Sequence, residues 1–411
     1  MNGLMSMLLA AAAAATPLPS VMPAAPGSIA VHGDTVYTMA GAPITDGVVL
    51  VRDGKIERVG RAAEVRVPAG VRTLRAKVVT PGLVDAHSTV GLTGYLNQAQ
   101  DQDQLDTSAP IQPELRAIDA YDPQERLIAW VRSFGITTLH TGHAPGALIS
   151  GETLIAKTRG RTVDEAVFVP FAMVAATFGP EARPEGENKS PGTRPKMIAM
   201  LRAELIKAQE YAQKKKTAEK GKEPDRNLRY DALAAVLDGE RPLLLSVQRA
   251  NDIVTALRLA DEFKLKLVLD GAAESFLVVD RIKQAGVPVI VHPTMERAFG
   301  ETENLSFETP ATLRKAGIPV ALQSGFESYV PKTRVVLFEA AIAYANGLSL
   351  EEALGLVTID AARLLGIEKR VGSLEAGKDG DLALYDGDPF EYTTHCVGTV
   401  IEGQVVSEGA Q

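Results

Sequence analysis

Cysteine is nearly absent. Cys396 is the only one in the chain, so no intrachain disulfide can form and redox state says little about compartment. Positive charge is also short, with 43 Lys and Arg against 51 Asp and Glu and a net charge of -8. Non-specific nucleic-acid binding depends on basic surface that displaces counterions, so that balance argues against a nucleic-acid partner. The one basic cluster, Lys214-Lys215-Lys216 to Arg226, is interrupted by acids and reads as a solvated face. No Walker loop, Ser-His-Asp elbow or dinucleotide fingerprint occurs. The first charged side chain is Asp34, and the apolar run Leu8 to Ala15 ahead of it is too short to span a membrane. Followed by Pro17, Pro19 and small residues, that run reads as a signal peptide or a disordered leader over residues 1–27. The first reading predicts export, to the periplasm; the second leaves the protein in the cytoplasm.

What is present is an ordinary globular composition, 45% hydrophobic and 23% charged over 411 residues. Residues 28–80 carry short strands and turns, with Asp53-Gly54 as a hairpin turn between Val48–Val51 and Lys55–Val59. Residues 371–411 have the same texture, which predicts a small β-sandwich assembled from both ends of the chain. Between them, residues 81–370 alternate apolar runs with helical patterns. Leu243–Val247, Leu265–Leu269, Val287–Val291 and Ile318–Leu322 are each followed or preceded by a helix, and Ser349-x-x-Glu352 is a capping box. Such alternation implies a parallel sheet. The interval has room for eight βα units at about 250 residues. The fold expected is therefore α/β, a (β/α)8 TIM-like barrel with the terminal β-sandwich attached.

The stretch Val78 to Leu92 joins the two regions and holds Pro81-Gly82-x-x-Asp85-x-His87 at the end of an apolar run. An acid and an imidazole at the mouth of a buried strand suit metal or proton chemistry. This stretch, with Gly372-Ser373-Leu374-Glu375-x-Gly377-Lys378-x-x-Asp381-Leu382 near the other end, resembles the amidohydrolase superfamily, of the imidazolonepropionase-like, metal-dependent branch. The resemblance implies a metal held by two histidines after strand 1, one each after strands 5 and 6, and an aspartate after strand 8. In this chain those positions are His87 and Thr89, Ser246, Gly271 and Gly325, so only His87 keeps its ligand type. A catalytic zinc needs about three protein ligands.

His87, His140, His143 and His292 all fall at or just past the ends of predicted strands. They form a candidate replacement site for a divalent metal such as zinc, with Asp85, Asp270 or Glu152 as the proton carrier; the alternative is that each is a hydrogen-bonded histidine in a cleft. Two functions follow from the resemblance. One is a hydrolase of carbon–nitrogen bonds in a small, amide or dipeptide-like molecule, with an altered site in which Asp85 and Asp270 are the candidate catalytic acids. The other is a catalytically silent binding protein, a homo-oligomer or the partner subunit of an active paralogue.

Overall fold

The computed structural model describes residues 28–408 apart from 97, 185, 187–188, 295 and 327–334. The candidate signal peptide lies outside the described residues. Among those described, no helix is long and apolar enough to cross a membrane.

Four strands open the chain: β1 (Ile29–Val36), β2 (Ile44–Arg52), β3 (Lys55–Arg61) and β4 (Arg72–Pro81). The β2–β3 turn has positive φ at both Asp53 (50°) and Gly54 (78°), as a two-residue hairpin loop requires. The barrel strands follow: β5 (Leu83–Ser88), β6 (Ile136–Thr141), β7 (Ile149–Glu152), β8 (Leu154–Lys157), β9 (Val167–Val169), β10 (Val174–Thr177), β11 (Leu243–Val247), β12 (Leu267–Gly271), β13 (Val289–Val291) and β14 (Val320–Leu322). The chain closes with β15 (Leu382–Tyr385), β16 (Cys396–Ile401) and β17 (Gln404–Glu408).

The terminal strands make one seven-stranded sheet in the order β17-β16-β15-β4-β1-β2-β3, with β15 antiparallel to β4. Both ends of the chain therefore contribute, as expected. The two-layered sandwich is realised as a single sheet rolled onto itself. Ile56 of β3 and Val400 of β16 stand near opposite ends of the strand order and share one apolar cluster with Val31, Val49 and Leu384.

The barrel is assembled from a six-stranded run β14-β13-β12-β11-β10-β7 and a four-stranded run β5-β6-β8-β9. Two seams join them. β7 and β8 are consecutive segments of one stretch, and a parallel bridge from Ser88 to Gly325 connects the end of β5 to the end of β14. One strand departs from the all-parallel expectation. β8 is antiparallel to β6, and β7 is antiparallel to β10. The reason is the length of the connection: residues 142–148 separate β6 from β7, too few for the crossover that a parallel neighbour needs, so the chain folds straight back. The third member of the ring is therefore inverted, and eight full βα units are not present.

Inside the barrel, Val84, Ile155, Leu244, Val268, Ile290 and Ala321 form an apolar plug. Side chains on a strand alternate, so the residues two positions further on face the same way. For the last four these are Ser246, Asp270, His292 and Gln323, a polar layer above the plug at the C-terminal mouth.

Pro81-Gly82 is where sheet becomes barrel. Gly82 donates its N–H to the Asp381 carbonyl (2.9 Å), and a Cβ on it would lie 2.2 Å from Thr137 Oγ1. Only glycine lets β5 approach β6 this closely.

Candidate functional site

β5 delivers Asp85 and His87, both buried. Asp85 accepts from the backbone N–H of Ser324 (3.0 Å) and, more weakly, from that of His87 (3.3 Å). It ties the first barrel strand to the last. Burial pushes its carboxyl up to about 7 against the lowering effect of those donors.

His87 donates from Nδ1 to Asp270 Oδ1 (3.1 Å). The same oxygen accepts from Gln323 Nε2 (2.8 Å), and Oδ2 accepts from Ser246 Oγ. Asp270 thus accepts from two donors at Oδ1 and from one at Oδ2. Although burial opposes it, the attraction of His87 together with these hydrogen bonds holds the Asp270 carboxyl below its ordinary range. Burial works against the charged form of His87 as well, yet Asp270, Asp85 and the backbone at His143 raise its proton affinity above that of a free histidine. With Nδ1 committed, Nε2 of His87 is buried without a hydrogen-bond partner.

That nitrogen belongs to a side chain lining a cavity of about 320 Å³ at the barrel mouth. Asp270 and Gln323 share the floor with His87, while Glu181 and Phe299 stand in its walls.

The other predicted histidines go elsewhere. His140 donates from Nδ1 to the Ala86 carbonyl (2.6 Å), and its Nε2 accepts from Thr153 Oγ1 (2.7 Å). Its ring centroid lies 5.6 Å from that of His87, but neither nitrogen has a lone pair to spare, and burial lowers its pKa to about 3. His143 is buried with both ring nitrogens unpartnered, against Gly151, whose added Cβ would meet Nε2 at 2.4 Å; burial lowers its pKa to about 4. His292 donates from Nδ1 to the Pro293 carbonyl (3.1 Å), and burial keeps it neutral to lower pH than a free histidine. Glu152 is paired with Arg241 rather than turned to the mouth.

The metal can be tested against these donors. Among the described residues, no three His, Cys, Asp or Glu side chains converge in a group that could hold a metal ion. The inherited positions are also filled. A Cβ on Gly271 would lie 2.6 Å from Gln248 Nε2, and one on Gly325 would lie 2.6 Å from Pro293 Cγ. Ser246, at the strand-5 position, spends its hydroxyl on Asp270. Thr89 lines the cavity without completing a ligand set. The residues present do not fit the metal of the family, and a hydrogen-bonded acid–imidazole pair stands where its ligands would be.

Comparison with known proteins agrees with this architecture. The model of the amidohydrolase family matches residues 271–407. An amidohydrolase from Thermotoga maritima has the same fold with a TM-score of 0.87 and 29% sequence identity, over 93% of this chain and 100% of that one. These matches support the amidohydrolase superfamily for this chain. Its barrel is the TIM-like barrel of that superfamily, one strand inverted. Among curated relatives, the imidazolonepropionase of Streptococcus pyogenes is 24% identical over 403 residues, covering 89% of this chain and 90% of that protein. The amidohydrolase tasK of Hapsidospora irregularis is 25% identical over 389 residues, 87% of this chain, which spans 39% of the length of that relative.

The sequence pointed to His87 and Asp270 but missed Gln323, Gln248 and Glu181. The first two were visible as polar residues one position past the ends of predicted strands, the level at which barrel sites are built. Glu181 carried no such signal, lying in a loop rich in proline, glycine and glutamate.

Proposed function

We propose that this amidohydrolase binds a small amide or related carbon–nitrogen compound in the barrel mouth and acts on it through His87, without a metal at the inherited positions. The observation that carries the reading is His87 itself. Its Nδ1 is fixed by Asp270, its Nε2 is buried without a hydrogen-bond partner, and the side chain lines the cavity. An imidazole oriented by a carboxylate is a proton-transfer device, and its raised proton affinity favours the donor form. In that form Nε2–H donates to the carbonyl oxygen of a bound amide; as water adds to the carbonyl carbon and the C–N bond breaks, the Nε2 proton passes to the departing nitrogen and the water's proton returns to the imidazole.

A second reading, binding without turnover, draws on Asp270, whose two oxygens are both engaged by donors that hold the carboxyl below its ordinary range and so weaken it as a base. One experiment separates the two. Purified full-length protein is titrated with neutral primary amides, lactams and imides by calorimetry, and ammonia or amine release is followed with and without a chelator. The hydrolase reading predicts release that a chelator leaves unchanged and that His87→Ala removes. Binding lost in His87→Ala with no release at all selects the silent reading. Release abolished by the chelator and restored by zinc contradicts both.

A further inference from the structure

Of the charged side chains lining the cavity, Asp270 is neutralised by His87. Glu296 and Arg297 each have partners of their own. Glu181 differs. It stands just past the end of β10, facing the cavity, and among the described residues no cation or hydrogen-bond donor engages its carboxylate. Its charged neighbours are Glu301 and Asp270, both negative, and Glu301 is itself committed to Arg194 (2.5 Å). Burial against the cavity first, and these two acidic neighbours second, raise its proton affinity, while the side chain itself stays open to solvent.

At the same mouth, Phe299 exposes 70% of its surface and offers a ring face to whatever enters. A carboxylate without a counter-charge and an exposed aromatic ring lining one cavity are the combination that holds an alkylammonium group, through charge and cation–π attraction together. His87, whose buried Nε2 has no hydrogen-bond partner, lines the same cavity and is the second point at which a polar group can be recognised.

We infer that the ligand of this cavity is a cationic amine that also carries the carbon–nitrogen carbonyl group, with Glu181 as the specificity-determining counter-charge and Phe299 beside it. This deepens the functional reading above and rests on it. The ammonium end is held at the wall, and the carbonyl end reaches His87 on the floor.

The test uses full-length protein and three matched probe sets: amino amides (glycinamide, γ-aminobutyramide and ε-aminocaproamide), the corresponding hydroxy amides, and the corresponding carboxy half-amides. Affinities are measured by calorimetry for the wild type, Glu181→Gln and His87→Ala, with thermal unfolding confirming that each variant is folded. The expected result is that at least one amino amide binds about five- to tenfold tighter than its hydroxy counterpart, the scale of a partly desolvated ion pair. Added salt shrinks that preference, and Glu181→Gln reduces it to less than about twofold while leaving the hydroxy amides unchanged. Equal affinity across the three charge types, preference for the carboxy set, or a preference that survives Glu181→Gln overturns the inference. In those cases binding of hydroxy amides that His87→Ala abolishes leaves the functional reading standing. Failure of every probe to bind the wild type overturns both.

Discussion

Asp270 gathers three donors, from His87, Ser246 and Gln323, and is 2% exposed. Replacing it with Asn removes the charge that all three were arranged around and presents an N–H₂ to at least one donor. Asp270→Asn is expected to lower stability by about 2–4 kcal/mol, and Ser246→Ala, which removes a single bond, by about 1 kcal/mol, both read from denaturant midpoints. Asp85 sets the pH response. Its carboxyl titrates at about 7 in the folded protein against 3.8 as the reference value, so folding favours its protonated form. The stability it contributes is complete below about pH 4 and is lost as pH rises through 7. His87, raised as well, acts in the same direction. Asp270, lowered, contributes stability that is lost only as pH falls through its folded value, on the acid side of that window. Unfolding measured between pH 4 and pH 8 is predicted to show declining stability for the wild type and a flatter profile for Asp85→Asn, whose side-chain oxygen still accepts from Ser324. An unchanged slope in that variant would remove Asp85 from the explanation.

At the scale of elements, the inverted third strand and the filled glycine positions account for most of what the sequence did not reveal. The strands and helices were legible because the apolar periodicity is strong: Met197, Leu201, Leu205 and Ala208 are all buried on the helix Arg194–Thr217, and Ser349 and Glu352 close their capping box. Strand direction was not legible, because residues 149–157 have the same apolar texture whichever way they run, and only the short connection from β6 decides the matter. Substitution at the metal positions could be read from Thr89, Ser246, Gly271 and Gly325, but the groups that fill the space could not. Gln248 and Pro293 come from other segments of the fold, and their closeness to the two glycines exists only in three dimensions. Restoring the family residues is therefore expected to be costly. Gly325 has φ of 66°, and its added Cβ meets a proline ring, so Gly325→Asp is predicted to lose about 2–4 kcal/mol. Gly271, at φ of 76°, meets the movable end of Gln248, and Gly271→His is expected to lose about 1–2 kcal/mol. Denaturant unfolding of the two variants checks both the values and their order.

For the whole molecule, the barrel and the terminal sheet are fastened by a buried ionic cluster that lies away from the mouth. Lys157, on the inverted strand and 2% exposed, bonds Asp381 and reaches Asp379 at 3.0 Å; Arg370 meets Asp379 at 2.8 Å. Both aspartates flank the start of β15, so the third barrel member and the C-terminal strands share one set of charges. Lys157→Met would leave two buried carboxylates facing each other with only Lys55 and Arg370 at their edge. It is predicted to cost about 3–5 kcal/mol and to split the unfolding of the wild type, expected as one cooperative transition, into separate sheet and barrel steps in calorimetry. A single transition with unchanged midpoint would show that the cluster does not couple the two parts. The Pro81-Gly82 junction and the Gly372–Leu382 run thus kept their architectural meaning from sequence to structure, and at the mouth an acid–imidazole pair is proposed in place of a metal.

The metal content of purified full-length protein tests the proposed replacement most directly. Elemental mass spectrometry of the wild type and of His87→Ala is predicted to find less than about 0.1 equivalent of any divalent transition metal in either, with amide binding by the wild type unaffected by chelation. Near-stoichiometric zinc in the wild type that falls away in His87→Ala would contradict it.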